Sequence, residues 1–271
     1  MRPRERATGG AMQLAERVAI VTGGGRGIGR AIARRFAMEG AQVVIAARTA
    51  DQLASVVKEI EEHEGKAVGV TADVSREEDV ARIVRMAREV YGGADILVNN
   101  AAIYGAVAPI EEIDPTDWDR VIAVQLRGAF LMTRATLPEM YAAGGGAIVN
   151  VSSVAARIPY SWGAAYAASK AGLLGLTRTT AAEGARCGVR ANAILPGPVP
   201  ETEMSKELGR MLAARTGGDP VEMLREHIQT ILQGRPQTAD EVAAAALFLA
   251  SDQASAITGQ ALSVDGGMSF C

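Results

Sequence analysis

The residues Val18 to Thr22 form an apolar run that stops at three consecutive glycines, Gly23, Gly24 and Gly25. The chain then passes into a helical pattern in which Ile28, Ala31, Ile32 and Phe36 share one face. This predicts a buried strand, a tight turn and a helix. The same rhythm recurs. Apolar runs at 42–46, 67–71, 95–98, 147–151, 189–195 and 261–264 are interleaved with amphipathic or Ala-rich stretches at 51–64, from Ser75 onward, 115–141, 166–187 and 239–250. Strands alternating with helices imply an α/β fold. The expected form is a Rossmann-type, doubly wound parallel sheet of about seven strands, helices on both faces, in a single domain. Ser75, with Glu78 three residues on, is expected to cap the third helix, and Pro115 suits the first turn of its helix. Residues 196–234 stand outside the rhythm and are too long for a simple connection. They follow a strand end, where ligands bind in open α/β sheets, so they are expected to be a substrate-binding loop or lid.

With 271 residues, 48% hydrophobic and 22% charged, the chain can bury one large core, and the domain is expected to span residues 12–271. Only 4% of residues are aromatic, and the abundant small residues suit close packing of helices on a buried parallel sheet. A net charge of -3 argues against a nucleic-acid or anionic-membrane partner. No apolar run approaches the ~18 residues of a membrane span. Residues 1–11 carry Arg2, Arg4 and Arg6 without an apolar stretch and read as a disordered tail ahead of Met12. Cys187 and Cys271 make no metal or disulfide pattern, which points to free thiols in a reducing, cytoplasmic compartment. The histidines are His63 and His227, too few to support a zinc site or a Ser-His-Asp triad, and no metal is expected. His63 lies among Glu61, Glu62 and Glu64 and reads as surface. His227, in an amphipathic stretch, reads as surface too, with pocket lining as the rarer alternative.

The glycine turn has a chemical reading. A strand, a turn that only glycine permits, and a helix N-terminus together suit a pyrophosphate. The spacing Gly23, Gly27, Gly29 is not G-x-G-x-x-G, and no Gly-Lys-Ser/Thr of a P-loop follows. A turn without a ligand is the alternative. An NAD site would have an acid about 20 residues further on, for the ribose hydroxyls. That place reads Ala46-Ala47-Arg48-Thr49. Arg48, with Arg26 in the turn, suits a 2'-phosphate, which favours NADP over NAD; two solvated arginines are the plainer reading.

A second centre is Tyr166 and Lys170, four residues apart on one helix face. The lysine charge is expected to lower the tyrosine pKa, making a proton donor or acceptor usable near neutral pH. A chance surface pair has the same spacing.

Taken together, Thr22-Gly-x-x-x-Gly27-Ile28-Gly29, Asp73-Val74, Asn99-Asn100-Ala101, Tyr166-x-x-x-Lys170, Asn192-x-Ile194-x-Pro196-Gly197 and Thr258-Gly259-Gln260 with Asp265-Gly266-Gly267 resemble the short-chain dehydrogenase/reductase family, over about residues 14–271. The resemblance is to its compact single-domain members, which include 3-oxoacyl-carrier-protein reductases and alcohol, steroid and polyol dehydrogenases. It implies hydride transfer between a nicotinamide cofactor and a carbonyl or secondary alcohol (EC 1.1.1.-). It further implies that Asp73 and Val74 hold the adenine, that Asn100 and Ala101 line its ribose, and that Pro196, Gly197 and Val199 pack on the nicotinamide. Gly25, Arg26 and Ile28 fall within the glycine turn. Lys170 would hold the nicotinamide ribose, and Ser153, thirteen residues before Tyr166, would orient the substrate oxygen; its neighbour Ser152 is the competing candidate. The family's catalytic asparagine, which supports a water relay behind the lysine, is replaced by Gln125. Ala102 stands where the family has glycine, and Thr202 comes one residue late, with Glu201 in its place. Tyr104, Ile158, Tyr160 and Trp162 are expected to line the substrate pocket. Family members are commonly homotetramers, joined through 115–141, 166–187 and the last strand. The alternative function is a non-catalytic dinucleotide-binding sensor or scaffold, since fold alone does not fix function.

Overall fold

The computed structural model describes residues 12–269, apart from the side chains of Pro220, Met223, Leu224 and His227. The expected tail at 1–11, Cys271 and the side chain of His227 therefore lie outside the described residues. The chain runs β1 (Val18–Thr22), α1 (Gly27–Met38), β2 (Gln42–Ala47), α2 (Ala50–Glu61), β3 (Lys66–Thr71), α3 (Glu77–Tyr91), β4 (Ile96–Asn99), α4 (Pro115–Ile122), α5 (Gly128–Ala143), β5 (Gly146–Val151), α6 (Ala164–Gly184), β6 (Val189–Pro196), α7 (Glu203–Thr216), α8 (Pro220–Gln229), α9 (Ala239–Ala250) and β7 (Ala261–Val264).

The seven strands form one sheet in the order β3-β2-β1-β4-β5-β6-β7, and every pairing is parallel. Buried on both faces, β1 and β4 are continuously apolar or small apart from Thr22 and Asn99 at their ends. One face carries a core built on Ile32 and Phe36 of α1, Val56 and Ile60 of α2, and Val242 and Ala246 of α9. The other packs Ile83 and Val84 of α3 and Leu131 and Met132 of α5. The strand order reverses between β1 and β4, which opens a crevice at their carboxyl ends.

Three expectations change. The helix expected at 115–141 is interrupted by a π turn over Ala123–Arg127, with Gln125 buried at its centre; such turns widen a helix by one residue. Helix α3 starts at Glu77, and its N-cap is Arg76 without a side-chain cap. Ser75 instead bonds Asp73 Oδ1 through its N–H (2.9 Å) and hydroxyl (2.7 Å). Lastly, 196–234 is not a loop but contains α7 and α8. Thr202 caps α7, accepting from the Ser205 N–H at 3.3 Å.

Candidate active site

A cavity of about 930 Å³ opens over the carboxyl ends of the strands. Every residue expected from sequence to bind cofactor or do chemistry lines it, except Gln125. At one end lies the glycine turn. Gly23 takes a φ of 65°, a left-handed conformation that favours glycine. A Cβ on Gly29 would collide with the Gly23 carbonyl and the Asn100 amide. Arg26, at the N-cap of α1, has an extended backbone, no side chain caps the helix, and its first turn holds no acid. The helix thus presents uncapped N–H donors and a positive dipole end to the cavity, which fits the pyrophosphate of a dinucleotide. Arg48 follows β2 on the same wall. Among the described residues neither Arg26 nor Arg48 forms an ion pair within 4.0 Å.

The loop after β4 is tied to this turn. Thr22 Oγ1 accepts from the N–H groups of Asn100 (3.0 Å) and Ala101 (3.1 Å). The Asn100 side chain donates to the carbonyls of Thr22 (2.9 Å) and Gly23 (3.2 Å). Asn100 therefore spends its amide on holding the turn, and what it offers a ribose is a wall. Ala102 is absent from the residues with positive φ, so its methyl group is accommodated without backbone strain. Asp73 lines the cavity, and its Oδ1 takes the two Ser75 bonds.

At the other end Ser153, Tyr166 and Lys170 meet. The two serines separate by partner. Ser152 Oγ is buried and donates to the Lys170 carbonyl at 2.8 Å. Ser153 Oγ accepts from the Ala155 N–H at 3.2 Å and faces the cavity beside Tyr166. Lys170 is 3% exposed. Its Nζ donates to the Val151 carbonyl at 2.8 Å and lies 5.5 Å from the centre of the Tyr166 ring. Burial brings the Lys170 ammonium down to about 7. Burial also pushes the Tyr166 phenol up, with electrostatic coupling to the neighbouring Tyr160 phenol adding to it and a hydrogen bond with Ser153 opposing it. The expected lowering of the tyrosine by the lysine is thus not met: burial dominates, and Lys170 is not among the groups that shift the phenol.

Gln125 sits apart. Its Nε2 donates to Ser169 Oγ at 2.7 Å, a different partner from the lysine-side relay expected of that position. Ser169, which nothing in the sequence singled out, is wholly buried. Tyr104 and Tyr160 line the cavity, and the Tyr104 ring stacks on Tyr166 at 5.0 Å between centres. Ile158 and Trp162 do not line it. Trp162 has a φ of 64° and packs beneath the Arg215 guanidinium at 5.9 Å. Met204, Leu208 and Leu212 of α7 supply the apolar wall opposite. Glu201 turns away, accepting from the Ala239 N–H at the start of α9 at 2.7 Å.

A family model described as enoyl-(acyl carrier protein) reductase matches residues 23–269. A 3beta-hydroxysteroid dehydrogenase of Mediterraneibacter gnavus is 40% identical over 261 residues, covering 93% of this chain and 94% of the relative. A 3-oxoacyl-[acyl-carrier-protein] reductase of Thermotoga maritima is 38% identical, covering 95% and 99%. Among solved structures, levodione reductase superposes with a TM-score of 0.90 at 35% identity, covering 94% of this chain and 98% of that one. A variant of actinorhodin polyketide ketoreductase with NADPH gives a TM-score of 0.89 at 35% identity, covering 95% and 98%. The chain belongs to the short-chain dehydrogenase/reductase family, oxidoreductases that bind a nicotinamide dinucleotide and act on small molecules. Among the described residues no helix is long and apolar enough to cross a membrane, and no cluster of side chains suits a metal ion.

Proposed function

We propose that this protein is an NADP-dependent reductase of a carbonyl compound, or dehydrogenase of the corresponding secondary alcohol, with Tyr166 as general acid and base. The observation that carries the reading is the meeting of Ser153, Tyr166 and Lys170 in the cavity that the glycine turn opens onto. The N-terminus of α1, with Gly23, Gly25, Gly27, Ile28 and Gly29 around it, would hold the pyrophosphate. Arg48 and Arg26 would hold a 2'-phosphate, as guanidinium forks do. Asp73, Val74, Asn100 and Ala101 would enclose the adenosine, and Pro196, Gly197 and Val199 would back the nicotinamide. When bound, NADPH supplies the hydride.

The chain's own residues supply the proton and the geometry. Ser153 orients the substrate oxygen, and Tyr166 gives its phenolic proton to that oxygen as negative charge develops there. Lys170 would hold the nicotinamide ribose, and in its charged form it favours the tyrosinate that is left. In oxidation Tyr166 runs as the base. The segment 196–234, through α7 and α8, covers the substrate. Partly exposed Phe130 on α5 and Leu262 on β7 support a homotetramer joined through those elements. A relative named for a hydroxysteroid, with the tyrosine-walled pocket, favours a ring-bearing substrate.

The test is consumption of NADPH and NADH in parallel against a panel of alicyclic, steroidal and 3-oxoacyl ketones. Turnover should appear with NADPH. Tyr166→Phe should lower kcat by roughly 100-fold or more, the scale of acid–base assistance, while cofactor affinity stays. Binding of the cofactor with no turnover on any substrate would favour a sensor instead, and full turnover in Tyr166→Phe would remove that residue from the mechanism.

A further inference from the structure

The π turn between α4 and α5 aims one buried side chain at α6. Gln125 is 2% exposed, and its Nε2 donates to Ser169 Oγ at 2.7 Å. Ser169 is 0% exposed, and its hydroxyl donates to the backbone carbonyl of Tyr166, also at 2.7 Å. This is a directed chain of two hydrogen bonds: amide to hydroxyl, hydroxyl to the carbonyl of the tyrosine. A serine bonding back to the carbonyl three residues earlier is common in helices. The feature that needs explaining is the amide that reaches it from another element. The Gln125 carbonyl oxygen, by contrast, has no hydrogen-bond partner among the described residues. A buried amide with one half unsatisfied costs stability, so the half that is used deserves a role.

The same turn of α6 is held on its other side by the bond from Ser152 Oγ to the Lys170 carbonyl. Tyr166 and Lys170 are thereby held through their backbone carbonyls by Ser152, just past β5, and by Ser169, which the π turn reaches through Gln125. The geometry points to Gln125 and Ser169 as positioning residues, which act through the Tyr166 backbone to set where its hydroxyl meets Ser153 and the substrate oxygen. This rests on Tyr166 being the proton donor. It also gives position 125 a task other than the relay: the side chain is committed to Ser169, while Lys170 Nζ is committed to Val151.

The experiment compares Q125L, S169A and the double variant by kcat, KM for NADPH and thermal midpoint. Each single variant should lose about 10-fold or more in kcat, the effect of misplacing a reacting group by a fraction of an ångström, with KM for NADPH within about twofold. The double variant should be no slower than the worse single one, because both changes cut the same link. Its thermal midpoint should recover relative to S169A, since removing both partners leaves no orphaned donor. Stability restored without turnover restored is the signature of positioning. Losses that multiply in the double variant, that vanish as stability recovers, or that stay within twofold in the single variants would overturn the inference.

Should the ketone panel yield no turnover, the link is read directly. With tyrosines labelled at 13Cζ and the Tyr166 resonance assigned through Y166F, both single variants and the double variant should displace that resonance alike. An unmoved Tyr166 resonance would overturn the link, whatever the protein's reaction.

Discussion

At residue scale, Arg48 separates two cofactors that differ by one phosphate. It stands where an NAD site would carry an acid, lines the cavity, and is without an ion pair among the described residues. Hydrogen bonds between a guanidinium and a phosphate contribute about 1.5–3 kcal/mol each. Arg48→Asp should therefore weaken NADPH by roughly 10- to 100-fold in a fluorescence titration while leaving NADH affinity equal or better; unchanged NADPH affinity would return the choice to NAD. Lys170 makes a prediction of another kind. Its buried ammonium titrates at about 7, whereas an unfolded lysine titrates near ~10.4. Between those values the unfolded chain binds a proton that the folded chain does not, so stability rises with pH. The penalty is gone above about pH 10.4, grows as pH falls, and is complete below about pH 7. Denaturant unfolding of the cofactor-free protein at about pH 6, 8 and 10 should show this rise, and K170M should flatten it. Parallel profiles would mean that Lys170 stays charged. Neither property of Lys170 is visible in the Tyr-x-x-x-Lys spacing, which locates the pair but says nothing of its desolvation.

At the scale of elements, the junction of β1 and α1 concentrates the constraints. Gly29 lets the first turn of α1 close onto the Gly23 carbonyl, with the Asn100 amide packed into the same space. Gly29→Ala puts a methyl group where backbone already lies. Overpacking of this kind costs about 1–3 kcal/mol, and the helix N-terminus must shift away from the anion it would bind. Calorimetry should find NADPH affinity lower by about tenfold or more, with a reduced thermal midpoint; wild-type affinity would mean that the helix end does not hold the pyrophosphate. The glycines, the strand and the helical period around them are all legible in the sequence, since each is a local requirement. The π turn at Ala123–Arg127 is not. Its residues fit an uninterrupted helix, and only the packing of Gln125 against α6 shows why the backbone opens there.

At the scale of the whole molecule, rigidity is unevenly distributed. The central strands are wholly enclosed, while α7 has no buried residue although Met204, Leu208 and Leu212 line the cavity. A helix with so little burial opens at low free-energy cost. Amide hydrogen exchange across 203–229 should be fast in the free protein relative to β1 and β4, and should slow when NADPH and a substrate are bound. Equal protection in both states would argue that these helices are a fixed wall. The sequence identifies the segment by its excess length and places it after a strand end, but does not show that it holds two helices, the first of which is capped by Thr202 and lines the cavity with Met204, Leu208 and Leu212.

By itself the sequence determined the parallel α/β architecture, the turn suited to a dinucleotide, and the Ser, Tyr and Lys that share its cavity. The architecture, the turn and the Tyr-Lys pair depend on local periodicity, on glycine's conformational freedom and on spacing within one helix, whereas Ser153 is found only through the family resemblance. Tertiary structure alone decided which polar atoms are free to act. Ser152 is spent on Lys170, Asn100 on Thr22 and Gly23, and Gln125 on Ser169, 44 residues away. It also decided the direction in which the pKa values of Tyr166 and Lys170 move, since burial is the largest cause for both. The physical reason is common to all of these. Hydrogen-bond partners and desolvation are set by residues distant in sequence, and they are assigned only when the sheet and its helices close around them.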